Sequence, residues 1–216
     1  MAQATKSKDK TKSVDSKASR KKTKVAKATK DSKAKSSSKN RTTSAPSGWF
    51  LSGAAPQEYE TGVDFRIFHS GTRSAYMKNA VPRPTNFGTL MQQFEPGDFL
   101  GKRVRMSFWV KSKDASWVAP WMRVDGDKGT DATLSFDNFC NRVIKGTTDW
   151  THHEIVLDVP KESTNIAFGI MLSGRGILWF DDIEFEKVSK SVAATDCPCH
   201  TKNSSKPRNL SFEDDK

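Results

Sequence analysis

The 216-residue sequence contains no apolar run approaching the length that spans a bilayer, and its N-terminus has no apolar stretch. A transmembrane helix needs about 20 predominantly apolar residues, so neither a membrane span nor a secretory leader is expected. The chain reads as cytoplasmic: nucleoid-associated in a bacterium, or nuclear if the host is a eukaryote. Cysteine is scarce, and three residues, an odd number, fit a reducing compartment better than a disulfide framework. Cys140 sits among apolar neighbours and reads as a small core side chain. The stretch CPCH places Cys197, Cys199 and His200 too close together for a tetrahedral zinc site, with no second cluster to complete it. A linker cysteine pair is the expectation there. Also missing are the GxSxG elbow, the phosphate-binding GxxxxGK[ST] loop, HExxH, and GxGxxG after a strand. These absences point away from an enzyme.

Net charge is missing from most of the chain as well. Residues 1–47 hold thirteen Lys and two Arg against Asp9, Asp15 and Asp31, a net of +12. The remaining 169 residues carry 21 basic and 22 acidic groups, a net of −1, so the chain total of +11 belongs to the N-terminal segment. That segment's only aliphatic side chains larger than Ala are Met1, Val14 and Val25, too little apolar surface to offset the entropy of ordering. Residues 1–47 are therefore expected to be a disordered basic tail. Flexible cationic runs bind polyanions by releasing counterions from phosphates, without reading sequence. Arg20, Lys21, Lys22, Lys24, Lys27, Lys30, Lys33 and Lys35 are the candidate nucleic-acid contacts. A solubilising extension, or an import signal at Arg20, Lys21, Lys22 and Lys24, is the alternative.

From Gly48 onward the apolar pattern alternates and helical spacing is hard to find. Arg103–Lys111 places Val104, Met106, Phe108 and Val110 on one face and Arg103, Arg105, Ser107, Trp109 and Lys111 on the other. This is the period of a half-buried strand. Ile155, Leu157 and Val159 alternate likewise against Glu154, Val156 and Asp158. Short runs at FRIFHS, SAYMKN, FGTLMQQF, PWMRVDG, TLSFDN and NIAFGIML read as further strands. MLSGRGILWF reads as a hairpin whose glycines supply positive φ. The fold class expected is all-β, an antiparallel jelly-roll sandwich over 48–188. A linker follows at 189–206 and a C-terminal segment at 207–216.

The ordered set GWFLSG, YETGVD, FGTLMQQFEPGDFLGKRVRMSFWVKS, WMRVDG, LSFDN, GTTDWTHHEIVLDVP and GILWFDDIEFEKV resembles bacterial β-sandwich domains related to galactose-binding-like and carbohydrate-binding-module jelly rolls. Some members stand beside transcription-regulator modules. The tail resembles linker histones in composition. In such jelly rolls an NL-x-FE strand commonly opens the domain, and here KPRNLSFEDDK comes last, so Asn209–Glu213 is expected to dock back beside the first strand. The resemblance also implies a structural calcium near the last strand, held by Asp182 with Glu213. VDGDKGTD is better read as turn chemistry than as a calcium loop.

Aromatic residues at polar parities suggest a ligand site. Trp109 alternates with Arg105 and Lys111, and Trp121 with Arg123 and Asp125. A sugar site pairs an aromatic ring against C–H faces with amides and charges that bond hydroxyls. Gln92, Arg123, Asp137, Asn138 and Arg142 are the candidate polar partners of Trp109 and Trp121. The competing reading makes these tryptophans core or edge cover and pairs Arg123 with Asp137. Two functions stay open: a binding module for a carbohydrate-like or small polar ligand, or a DNA-associated regulatory protein acting mainly through its tail.

Overall fold

The computed structural model describes residues 41–127 and 133–196. The expected Asn209–Glu213 strand, Glu213, the CPCH stretch and all eight nucleic-acid candidates lie outside those residues. Among the described residues nine strands pair throughout in antiparallel fashion: β1 (Phe50–Gly53), β2 (Tyr59–Asp64), β3 (Ser74–Asn79), β4 (Phe87–Phe94), β5 (Lys102–Asp125), β6 (Thr133–Asp137), β7 (Ile144–Val159), β8 (Asn165–Ser173) and β9 (Ile177–Val188). Two short 3-10 turns, Pro56–Glu58 and Gly97–Phe99, are the helical elements among the described residues. The expected all-β jelly-roll sandwich is the observed class.

The 24 residues of β5 serve two sheets. Arg103–Lys113 pairs with β9, and Lys102–Val110 with β7, which gives a first sheet ordered β7-β5-β9-β3-β2. Trp117–Asp125 pairs with β8, and Met122–Asp125 with β6, which gives a second sheet ordered β6-β5-β8-β4-β1. The strand changes sheets at Asp114–Ser116, where the β7 register shifts and Asp114 takes φ 51°. Gly176 lies against this corner at φ +117°, and a Cβ there would collide with the Ala115 backbone. The MLSGRGILWF hairpin is thus held to the corner by a glycine that no side chain can replace.

Between the sheets lies the core, and the period read from sequence fills it. Val104, Met106, Phe108 and Val110 are fully buried, as are Val118, Met122, Val124, Ile155, Leu157, Ile166 and Ile170. Trp49 closes one side, edge-on to Phe168 at 5.2 Å and to Phe180 at 6.0 Å. Two expectations need correction. FRIFHS is a loop: the Asp64 carboxylate accepts the backbone N–H groups of Arg66 and Ile67, the Asx type of turn, and Phe65 stands 44 % exposed. Cys140 is exposed at a turn and disulfide-bonded rather than a core thiol, and the chain's other cysteines lie outside the described residues.

Residues before Gly48 already touch the sheet. Thr42 N–H donates to the Val63 carbonyl, and the Tyr76 hydroxyl donates to the Thr42 carbonyl at 2.8 Å. Arg41 lies over the Tyr76 and Trp179 rings and donates to buried Asp64 at 2.5 Å. Asp64 also accepts from Trp179 Nε1 at 2.9 Å. Burial works to raise the Asp64 carboxyl, but these donors outweigh it and hold it below the usual carboxylate range.

Asp64→Ala leaves four donors without their acceptor, the buried Trp179 Nε1 among them. Chemical denaturation should show a loss of about 3 kcal/mol near neutral pH. Because the folded pKa is depressed, this contribution is full above the unfolded value near ~4 and fades as pH falls. The gap between wild type and Asp64→Asn should therefore narrow below about pH 4.

Candidate functional site

On the second sheet, the pleat that sends Val118, Met122 and Val124 inward gives Trp121, Arg123 and Asp125 the opposite parity, toward the outer face. Register sets their neighbours. Arg123 sits opposite Phe136 on β6 and Ala167 on β8, and Ala167 sits opposite Gln93 on β4. Trp121 sits opposite Gly169, which sits opposite Met91 and then Phe50. A side chain at Gly169 would collide with the Leu90 carbonyl, so β8 is bare in the row that Trp121 occupies. The indole reaches across β8 and donates from Nε1 to Thr89 Oγ1 on β4 at 2.8 Å. With 6 % exposure, Trp121 forms the floor of this face rather than an open stacking surface.

At one end of the face the floor opens into a pocket of about 570 Å³ lined by Gln93, Arg123, Asp125, Asp127, Thr164 and Asn165. Arg123 and Asp125, two apart on one strand, form a two-pronged pair at 2.7 and 3.0 Å. Asn165 Nδ2 donates to the same carboxylate at 3.1 Å, and Thr164 Oγ1 donates to the Gly126 carbonyl at 3.0 Å. The guanidinium is thus locally neutralised and fixed in direction. Phe136 lies edge-on to Trp121 at 6.5 Å, and Phe50, 42 % exposed, adds open apolar surface in the Trp121 row.

The seven expected ligand residues fall in different places. Trp121 and Arg123 share the outer face just described. Gln92 has the inward parity of β4, with its amide under Gly48, while its neighbour Gln93 faces the pocket. Asp137 is fully buried; it accepts the Phe139 N–H at 2.9 Å and pairs with Arg142, whose guanidinium covers the Phe139 ring at 3.8 Å. The alternative Arg123–Asp137 pair is not formed, because each residue has its own partner. Asn138 adjoins this pair, its Oδ1 buried without a hydrogen-bond partner.

Trp109 lies on the outer face of the first sheet. His69 stacks on it at 3.8 Å and 13°, and Trp150 meets His69 edge-on at 5.8 Å. A bulge between Ser107 and Trp109, with Asp182 at φ 49°, brings two consecutive carboxylates to the same loop. Asp181 accepts the His69 N–H at 2.8 Å; Asp182 bonds His69 Nδ1 at 2.6 Å and the Ser70 hydroxyl at 2.7 Å. Burial pushes the Asp181 carboxyl up, against its backbone donors. At Asp182 burial also works upward, but the His69 and Ser70 bonds prevail and hold the carboxyl low. Among the described residues no group of three or more His, Cys, Asp or Glu is placed to hold a metal ion. Calcium at Asp182 with Glu213 stays an expectation.

Gln93, Thr164 and Asn165 escaped the sequence reading. Parity with Thr89 and Met91 marks Gln93 as outward once β4 is placed, but the pairing of Asn165 with Asp125 is 40 residues distant and has no local signal.

No family model matches the chain. An uncharacterised HTH-type transcriptional regulator, YbfP, of Bacillus subtilis (strain 168) is 44 % identical over 170 residues, covering 78 % of this chain. The chain spans 57 % of that relative's length. In structure, the chain is similar to a Stig cyclase from Fischerella sp. TAU, crystallised with (3Z)-3-(1-methyl-2-pyrrolidinylidene)-3H-indole. That likeness has a TM-score of 0.51 at 13 % identity over 69 % of this chain and 89 % of the other, a likeness of fold. The CBM22-1 xylan-binding domain of Paenibacillus barcinonensis Xyn10C gives a TM-score of 0.49 at 14 % identity, over 67 % and 88 %. Among the described residues no helix is long and apolar enough to cross a membrane.

Trp121→Phe and Thr89→Val each break the one hydrogen bond that seats the indole. Each should cost about 1–2 kcal/mol by denaturation, and the double variant should cost less than the sum. Additive losses would show that the bond does not hold Trp121.

Proposed function

We propose that the sandwich is a noncatalytic binding module for an uncharged, hydroxyl-rich ligand of the carbohydrate kind, taken up at the Arg123 pocket. One observation carries this reading: the pocket gathers amides, a threonine and a guanidinium already neutralised by Asp125 beside half-exposed aromatic surface. A free guanidinium would select anions; a paired one offers directed N–H donors without net charge. Phe136 and Phe50 supply the flat apolar surface that sugar C–H faces need.

A panel of neutral oligosaccharides titrated by calorimetry tests this. Arg123→Ala and Gln93→Ala should each weaken a bound sugar about tenfold, equivalent to 1.4 kcal/mol, with melting temperature little changed. Variants that bind as wild type does would move the site elsewhere.

The regulator-named relative favours a second reading, in which the chain is DNA-associated through its N-terminal run. A helix-turn-helix needs two α-helices, and the described residues contain none. On this reading the region shared with the relative serves as a sensing or contact module, which is compatible with a ligand pocket. If the N-terminal run engages about ten phosphates, duplex-DNA affinity should fall with a log–log salt slope of roughly −9, without sequence preference. A flat salt dependence would contradict it.

A further inference from the structure

A second pocket, of about 580 Å³, sits where β5 changes sheets, and its chemistry is unlike that of the first. Arg41, Lys78, Lys113 and Arg175 line it, with Asp114 the one acid on its wall. Register explains the gathering: Lys113 on β5 and Lys78 on β3 both pair with Ile177 on β9, so two ammonium groups flank one apolar residue on the same face. Two strand spacings set them roughly 10 Å apart.

Arg175 completes the wall from a backbone that cannot drift. Its carbonyl accepts the Ser116 N–H at 2.8 Å, its N–H donates to Ser116 Oγ at 3.0 Å, and the following Gly176 N–H donates to Asn79 Oδ1 at 2.9 Å. Arg41 and Lys78 have carboxylate partners in Asp64 and Glu60. Lys113 and Arg175 have no ion pair among the described residues, and Asp114 is engaged with Thr147 at 3.3 Å. Cationic excess thus collects at one corner of a domain that from Gly48 onward nets −1.

The occupant follows from where the chain enters. Arg41 is both a wall of this pocket and the first described residue after the lysine-rich run, and residues 1–40 net +11. A polyanion drawn to that run meets the pocket next along the chain. We infer that the pocket seats backbone phosphates of a nucleic acid, adding fixed contacts at Lys113 and Arg175. The inference rests on the DNA-associated reading above.

The test uses the full chain and fluorescence anisotropy of a labelled duplex DNA across a salt series. Lys113→Glu with Arg175→Glu is compared with Lys102→Glu plus Lys161→Glu, an equal charge change at exposed sites by the far end of β5, away from the pocket. Thermal melts confirm that all chains fold, and Lys113→Gln with Arg175→Gln repeats the test without reversing charge. The pocket pair should weaken binding roughly tenfold or more at 0.1 M salt and flatten the salt slope by about 2, well beyond the control pair. Equal losses in the pocket and control pairs would overturn the inference while leaving the DNA-associated reading intact. A wild-type chain that does not bind duplex DNA would overturn both. Dependence on Lys113 and Arg175 for a sulfated polysaccharide but not for DNA would overturn the assignment to nucleic acid.

Discussion

Everything in this fold hangs on one strand belonging to two sheets. Between Lys102 and Asp125, β5 hydrogen-bonds to β6, β7, β8 and β9, and its turn at Asp114–Ser116 carries the chain from the first sheet to the second. Inward parity is kept on both sides of the turn: Val104 to Val110 on one side, Val118 to Val124 on the other. A one-residue slip at the corner would send one set into solvent. The positive φ of Asp114, the N–H of Asp114 bonded to Thr147 Oγ1 at 3.0 Å, and the Gly176 contact with Ala115 fix the count.

The same turn separates two chemistries. Trp109 and Trp121 are twelve residues apart on one strand, yet they face outward from opposite sheets. Around Trp109, aromatic and histidine rings pack over paired carboxylates; around Trp121, a buried indole supports a polar pocket. At the corner between them, the register of β3, β5 and β9 collects lysines and an arginine. Near-neutrality of the domain as a whole thus conceals an uneven distribution, and a net-charge sum cannot show it.

Local periodicity was legible in the sequence. The alternation in RVRMSFWVK and HHEIVLDV, the glycines of SGRG and the runs SAYMKN and FGTLMQQF all mark real strands, because each signal is contained in a few residues. FRIFHS misled for the same reason: its apolar alternation is local, but Asp64 one residue earlier caps the backbone into a turn. What could not be read was β5 as a single strand, since the polar residues of KDAS interrupt the apolar period. From that came the grouping of Trp109 with Trp121. His69 with Asp182, and Asn165 with Asp125, are long-range meetings set by sheet order.

The most direct measurement is an NMR titration that follows the six tryptophan indole N–H resonances while a neutral oligosaccharide is added. Trp121 carries the only one of these signals assigned to the floor beside the Arg123 pocket, bonded to Thr89, whereas Trp109 lies on the opposite sheet under His69. A ligand held at the second sheet predicts that the Trp121 signal shifts in a saturable way and the Trp109 signal stays still. A shift at Trp109 with Trp121 unmoved would place the ligand on the wrong sheet and contradict the assignment.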